Sequence, residues 1–419
     1  MSTHPHPEIG LRKVPDRFNP SPFAYHEEIE IEVETLTNLG DGLGRVGGWV
    51  VMLPFALPGE RVLARIWHNA NNFSRADLVR ILRPSPERVA PHCALFGVCG
   101  GCQYQNFSAA AQLAWKTNTV GDLLHRIGGV KVAVNPCHAS PRAYFYRSKI
   151  TPHFQRPRDK SETFPIGFLV VNQRHKIVDV PACPIATDAI NAALPGVRAQ
   201  IFAGHDRFRR GATLLLRETA EGVVTDPRRV VTEKVGALHL RFPAGGFFQN
   251  NPFILPAFAE YATKQASAEG CHFLIDAYCG SGLFALTAAS RFESVLGVEV
   301  DPAAVRNATE NAAANGIANC HFLAASAEHI FAEVRTPAAR TAVLLDPPRR
   351  GADPAFLQQL IAYNPRRIVY VSCAPDTQAR DLKPLLAANY TVTDAQPFDL
   401  FPQTRHIESI ITLQSENRF

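Results

Sequence analysis

From Glu28 to Glu34 the chain alternates strictly, with Ile29, Ile31 and Val33 set between Glu28, Glu30, Glu32 and Glu34. A period of two predicts a strand with one face buried. Further short apolar runs follow at Val46–Val51, Val62–Ile66 and Ala76–Leu82, separated by Asn38-Leu-Gly-Asp-Gly42, Pro54 and Pro58-Gly59-Glu60. Short strands divided by Gly and Pro turn signals over this length predict a small antiparallel barrel. Beyond Phe247 the pattern changes. Apolar runs at Phe273–Tyr278, Val295–Val300, Ala342–Asp346 and Ile368–Ser372 alternate with helical stretches at Leu283–Arg291, Pro302–Asn315, Pro354–Tyr363 and Ala379–Ala387. That alternation predicts an α/β domain, a mainly parallel sheet covered by helices on both faces. No internal repeat and no low-complexity segment interrupts it.

Length and composition add bounds to this picture. The chain has 419 residues, enough for two or three domains, and its 46% hydrophobic and 19% charged content describes a soluble globular protein. No uninterrupted run of 18 apolar residues occurs, and Met1 to Pro20 carries His, Pro and charges where a signal peptide would be apolar. The expectation is a cytoplasmic protein with reduced thiols and no membrane contact. The net charge of +5 is uneven: residues 1–88 carry −1, residues 89–245 carry +10 and residues 246–419 carry −4. A basic middle third is what a polyanion partner would require, although a solvated basic surface has the same charge.

Candidate chemistry gathers in the last third. Leu274-Ile-Asp-Ala-Tyr-Cys-Gly-Ser-Gly282 reads as a strand ending at Asp276, then a glycine turn, then a helix, the arrangement that lets backbone approach a nucleotide-like ligand. The third glycine of a dinucleotide fingerprint is missing, which disfavours a nicotinamide cofactor. Glu299 follows 23 residues after Asp276, near the end of the next strand, where a carboxylate can accept two ribose hydroxyls. Val343-Leu-Leu-Asp-Pro-Pro-Arg-Arg-Gly351 then places Asp346 at a third strand end, and Val369-Tyr-Val-Ser-Cys-Ala-Pro375 places Cys373 at a fourth. A thiol at that edge can serve as a nucleophile once its pKa is lowered. Phe401-Pro-Gln-Thr-Arg-His-Ile-Glu408 adds His406 and Glu408 just before a last apolar strand.

In this order and spacing the DPPRRG, VSC and HIE elements resemble the S-adenosylmethionine-dependent RNA (uracil-5-)-methyltransferase family over nearly the whole chain. The resemblance implies a Rossmann-like methyltransferase domain in which Gln249, Tyr278, Glu299 and Asp346 contact S-adenosylmethionine. It also implies Cys373 as nucleophile and Glu408 as base. The chemistry is consistent with those roles. Carbon 5 of uracil is too weak a nucleophile to take a methyl group unaided, and thiolate addition at carbon 6 makes it an enolate carbon. A base must then remove the proton from carbon 5, and a carboxylate in a water-poor pocket suits that task. The uridine must also be unstacked, and Tyr144-Phe-Tyr-Arg-Ser-Lys149, in the basic third, could stack bases and hold phosphates. An ordinary strand with exposed cations would have the same sequence.

Cys93, Cys99 and Cys102 form C-x5-C-G-G-C, with Cys183 in Pro181-Ala-Cys-Pro184. Such a set reads as metal ligands, and spacing alone leaves zinc and [4Fe-4S] both open. The family resemblance implies a [4Fe-4S] cluster with Cys183 as the fourth ligand and a structural role. Cys137, Cys271, Cys279 and Cys320 are expected to be structural. The N-terminal barrel resembles a TRAM domain, which implies RNA contact through local patches such as Arg61, Arg65 and Arg75. The expected organisation is a TRAM/OB-like barrel over 24–88, a mixed α+β iron–sulfur and RNA-binding region over 89–245, and the methyltransferase domain over 246–419. Structured RNA is the expected partner, with 23S rRNA favoured over tRNA because the resemblance includes both barrel and cluster cysteines; no obligatory protein partner is expected. Two other readings are a catalytically silent RNA-binding assembly factor and a methyltransferase acting on exocyclic nitrogen. The first would show loss of Cys373, Glu408 or Asp346, and the second would not need the thiol.

Overall fold

Ile31 and Val33 point into an apolar core at 2% exposure each, while the glutamates between them face outward. The computed structural model that shows this describes residues 15, 17–157, 163–267, 270–325 and 330–416, so most of the stretch read for a signal peptide lies outside the described residues. Contacts divide the chain into two compact units. One comprises Met1–Gln112, Pro165–Val180 and Gln403–Arg405, and the other Leu113–Phe164, Pro181–Pro402 and His406–Phe419.

In the first unit, β1 (Glu28–Leu36), β2 (Gly42–Val46), β3 (Trp49–Leu53), β4 (Arg61–Asn69) and β5 (Phe73–Arg83) close into a barrel in the order β1-β2-β3-β5-β4. Its pairs are antiparallel except β3 with β5. Within β2, a Cβ on Gly44 would lie 2.2 Å from the Glu32 carbonyl oxygen, so only glycine lets β2 approach β1 this closely. The outer face carries a ladder of ion pairs: Arg65 with Glu28 (2.8 Å), Arg61 with Glu30 (2.5 Å), Arg83 with Glu32 (3.2 Å) and Arg45 with Glu34. Arg75 pairs with Asp41 at 3.4 Å. The arginines expected to meet RNA, Arg61, Arg65 and Arg75, thus each have a carboxylate partner already.

The chain continues through α1 (Ala109–Leu123), β6 (Lys149–Ile150), β7 (His153–Gln155), the hairpin β8 (Ile166–Val170) and β9 (Gln173–Asp179), and α2 (Asp188–Gly204). Short strands follow, β10 (Gly211–Thr213), β11 (Leu216–Thr219), β12 (Gly222–Val224), β13 (Val230–Val235) and β14 (Leu238–Pro243). In the second unit β6 pairs antiparallel with β11, and β13 with β14.

The rest of the second unit alternates helix and strand as the sequence pattern requires: α3 (Leu255–Ala266), β15 (Phe273–Ala277), α4 (Leu283–Ala288), β16 (Ser294–Glu299), α5 (Pro302–Ala314), β17 (Cys320–Ala324), α6 (Ile330–Glu333), β18 (Thr341–Leu345), α7 (Pro354–Tyr363), β19 (Arg367–Ser372), α8 (Pro375–Ala387), β20 (Tyr390–Phe398) and β21 (Glu408–Ser415). These strands form one sheet in the order β17-β16-β15-β18-β19-β21-β20. The first five run parallel, and β21 is antiparallel to both β19 and β20. Every residue of β18 and β19 is buried, as strands covered on both faces must be. Helix starts follow local chemistry: Asp301 caps α5 through the Ala303 amide (2.9 Å) and Asp353 caps α7 through Ala355 (2.8 Å), each with proline next. Strand order reverses between β15 and β18, and open parallel sheets bind ligands outside the carboxyl ends of the strands at such a point.

Candidate active site

Past its last rung β15 enters a strained turn. Tyr278 has φ +65°, and Gly280 and Gly282 have φ +52° and +91°, the left-handed region that glycine tolerates and tyrosine rarely adopts. Asp276, fully buried at the strand end, holds the turn from beneath by accepting a hydrogen bond from the Ala285 amide at 2.8 Å. Burial pushes its carboxyl well above the usual range. Glu299, at the end of β16, accepts from the amides of Gly280 (3.1 Å), Val300 (2.7 Å) and Asp301 (3.1 Å), which fixes both loops on one carboxylate. Tyr278 and Glu299 line a cavity of about 160 Å³ together with Val298, Ile330, Pro348 and Asp353. A slot with an apolar wall and Glu299, Asp353 and Arg350 among its lining suits a nucleoside, its base against the aliphatic wall and its hydroxyls toward Glu299.

Three further side chains meet beyond β18 and β19. Ser372 pairs with Ser409 in the β19–β21 ladder, so Cys373 and Glu408, one step past that rung on opposite strands, face each other. Asp346 and Glu408 both act electrostatically on the Cys373 sulfur. Glu408 is 4% exposed, and burial followed by repulsion from Asp346 raises its carboxyl well above the usual range. Burial raises Asp346 to about 7. The Cys373 thiol is pushed up to about 11, by burial first and then by Glu408 and Asp346. The nucleophile's role requires the thiol to be deprotonated, and here burial first, then the two carboxylates, oppose that against a single cation. That cation is Arg349, which hydrogen-bonds the Cys373 side chain and also lowers Glu408. Arg349 lies 3.3 Å from Nδ1 of His406.

The loop carrying Asp346 and Arg349 is pinned by Asp381 on α8. One oxygen of Asp381 accepts from the Tyr370 hydroxyl (2.8 Å) and from the Ala352 amide (2.8 Å), and the other accepts from Arg380 Nε (2.8 Å). Gly351, at φ +87°, lies so close that a Cβ there would meet Asp381 Oδ2 at 2.4 Å. Gln378 joins β19 to β21 in a similar way, its amide donating to the Tyr370 carbonyl (2.8 Å) and its oxygen accepting from Ser409 (2.5 Å). Sequence reasoning missed Arg349, Asp381 and Gln378. Arg349 was visible as part of the Pro-Pro-Arg-Arg run, whereas the other two carry no signal apart from the fold.

Gln249 is 8% exposed on a segment tied by Asn251, which donates to the Leu400 carbonyl at 2.9 Å. It is not among the residues lining the cavity. Tyr146, expected as a stacking platform, is fully buried and donates its hydroxyl to the Pro402 carbonyl at 3.0 Å, so it belongs to the core. Cys93 and Cys99 are half-buried and Cys102 is buried, in the segment after the barrel, where the Gly101 amide donates to Cys99 Sγ at 3.4 Å. Among the described residues no group of three or more His, Cys, Asp or Glu side chains is arranged to hold a metal ion. The iron–sulfur centre expected of Cys93, Cys99, Cys102 and Cys183 therefore has no support in the structure. Among the described residues no helix is long and apolar enough to cross a membrane.

Comparison with known proteins adds the following. A family model described as tRNA (Uracil-5-)-methyltransferase matches residues 227–416, and a TRAM domain model matches residues 26–79. The chain is 40% identical to the tRNA (uracil(54)-C(5))-methyltransferase of Schizosaccharomyces pombe, over 94% of this chain and 79% of that protein. It is 32% identical to the enzyme of the same name from Saccharomyces cerevisiae, over 93% of this chain and 74% of that protein. The crystal structure of Pyrococcus abyssi tRNA (uracil-54, C5)-methyltransferase in complex with S-adenosyl-L-homocysteine shares the fold, with a TM-score of 0.71 at 24% identity over 92% of this chain and 100% of that one.

Proposed function

The chain belongs to the RNA (uracil-5-)-methyltransferase family, and from that premise we propose that it methylates carbon 5 of one uridine in transfer RNA through a covalent bond between Cys373 and carbon 6. The observation that carries this reading is the facing pair Cys373 and Glu408 at the carboxyl edge of the sheet, with Asp346 and Arg349 beside them. Transfer RNA replaces the ribosomal RNA favoured on sequence, because the two curated relatives at 40% and 32% identity are named for uridine 54 of transfer RNA.

Tyr278 and Glu299 would hold the nucleoside part of S-adenosylmethionine, with Gln249 and Asp346 as further contacts; the cavity's apolar wall and the Glu299 carboxylate fit that ligand. When bound, it supplies an electrophilic methyl group on a sulfonium. The work of this chain is to make carbon 5 nucleophilic and then to release it. Cys373, its proton given up to solvent, forms the sulfur–carbon 6 bond as the thiolate, and the electron pair of the ring double bond moves toward carbon 5 and its neighbouring carbonyl. Carbon 5 takes the methyl group. Glu408 then accepts the proton on carbon 5, the double bond re-forms, and the sulfur leaves carbon 6 with its electron pair. Arg349, close to both side chains, offsets the negative charge that this sequence gathers among three acidic groups.

Residues 24–88 are assigned to the barrel, 89–245 to an RNA-binding region and 246–419 to the methyltransferase domain, in a cytoplasmic protein. The test is incubation with labelled S-adenosylmethionine and unmodified transfer and ribosomal RNA, followed by nucleoside mass spectrometry. Label is expected as 5-methyluridine in the transfer-RNA fraction. Label in the ribosomal fraction alone would overturn the substrate, and no label in either would favour a silent RNA-binding protein.

The [4Fe-4S] reading rests on the C-x5-C-G-G-C pattern and Cys183 alone, and no step above depends on it. Protein purified anaerobically is expected to hold about four irons and four acid-labile sulfides per chain. Active protein with neither would rule the cluster out.

A further inference from the structure

Lys149 and Arg217 stand directly opposite each other in the β6–β11 ladder, a placement that like charges disfavour. Lys149 Nζ donates to the Gly246 carbonyl (3.4 Å), and Arg217 Nη2 donates to the same oxygen (3.2 Å) while its Nε donates to Ala244 (2.8 Å). Arg147 joins them, with its Nε on the Lys149 carbonyl at 3.0 Å. Burial first, and then the cations Arg217 and Arg147, lower the Lys149 amine to about 8. Arg217 is fully buried, and its Nη1 has no hydrogen-bond partner among the described residues. The buried Ser148 hydroxyl, between Arg147 and Lys149 in sequence, has none either. Glu233 is a carboxylate that acts on Arg217, yet Nη1 keeps its spare donor, and a buried guanidinium so placed opposite a second cation is costly unless a further acceptor completes it.

A run of ring and cation contacts leads from Arg147 toward Cys373. The Arg147 guanidinium lies 5.7 Å from the centre of the Phe401 ring, Phe401 meets His406 edge-on at 6.0 Å, and His406 reaches Arg349, which bonds Cys373. Phe247, next to the Gly246 carbonyl that both cations hold, is 85% exposed, in the manner of a ring presented to a partner.

We propose that Lys149, Arg217 and the Ser148 hydroxyl form a phosphate-binding site that grips the RNA backbone beside the target uridine, with Phe247 as a platform for a neighbouring base. The inference rests on the RNA reading above and adds to it where the strand is held. A phosphate there would supply the acceptor that Arg217 Nη1 lacks and neutralise the paired cations.

The experiment uses full-length protein and unmodified transfer RNA, comparing wild type, Lys149→Met and Lys149→Arg by the slope of log affinity against log salt. Loss of one phosphate contact lowers the magnitude of the slope by about one and weakens binding about tenfold near 0.1 M salt; Lys149→Arg is expected to restore the slope. Calorimetric binding of S-adenosylhomocysteine checks that Lys149→Met is folded. An unchanged slope in Lys149→Met overturns the site, as does weakened S-adenosylhomocysteine binding with the slope intact, because Lys149 would then only brace Gly246. Wild-type protein that binds no RNA would instead remove the underlying reading, an outcome distinct from both. Arg217 is left intact, since a fully buried side chain tests folding before it tests binding.

Discussion

Replacing Cys373 with alanine is expected to abolish methyl transfer, by about 10⁴-fold or more, while S-adenosylmethionine affinity stays within a few-fold. On the proposed mechanism carbon 5 has no other route to enough electron density, because the groups acting on Cys373 are two carboxylates and a guanidinium, none of which can add to carbon 6 as a thiolate does. Full activity in this variant would sink the covalent mechanism. A second measurement follows from the charge around the sulfur. Only the thiolate alkylates, and with the thiol raised to about 11 its fraction grows about tenfold per pH unit below that value. Iodoacetamide labelling at Cys373, read by peptide mass mapping, is therefore expected to be slow at pH 7 and to climb steadily into the alkaline range. Arg349→Ala moves the curve to higher pH, because it removes the cation that favours the thiolate. Fast labelling at pH 7 that is indifferent to Arg349 would contradict this electrostatic picture.

Replacing Glu408 with glutamine is expected to leave thiol addition and methylation possible and to stop the step after them. The amide keeps the shape of the carboxyl but cannot take up the proton from carbon 5, so the double bond cannot re-form and the sulfur cannot leave. Turnover should fall by about 10²–10⁴-fold, and protein should accumulate on RNA as a slow band on a denaturing gel. A variant with low turnover and no such band would assign Glu408 to some other role. Glu408 and Asp346 both hold protons more tightly than ordinary carboxylates, so the ionised base becomes more abundant as pH rises. The rate, measured as a pH profile, should accordingly ascend as pH rises, not fall.

Much of this was legible from residue order. The Glu28 to Glu34 alternation declared its strand, and the apolar runs ending in Asp276, Glu299, Asp346 and Cys373 declared a sheet with its chemistry at one edge. What stayed hidden depends on register and curl. Arg61 and Arg65 look like free cations until the β1–β4 pairing sets Glu30 and Glu28 beside them. Tyr146 looks like a platform because an aromatic next to a cation reads the same in a core strand as on a surface. The raised thiol could not be read at all, since it comes first from burial and then from two carboxylates separated from Cys373 by 27 and 35 positions in the chain. The choice between RNA classes also lies outside such reading, because it concerns the shape of a partner.

The ladder along β1 gives the barrel an unusual kind of neutrality. Each of the four arginines in the ladder carries its own competitor, so an RNA phosphate that takes the guanidinium must first displace a tethered glutamate, and the exchange returns little net attraction. A surface of that sort is nearly blind to polyanions in general. Contact through it would depend on contour and on which bases present themselves, would vary little with ionic strength, and would discriminate among folded RNAs instead of collecting them.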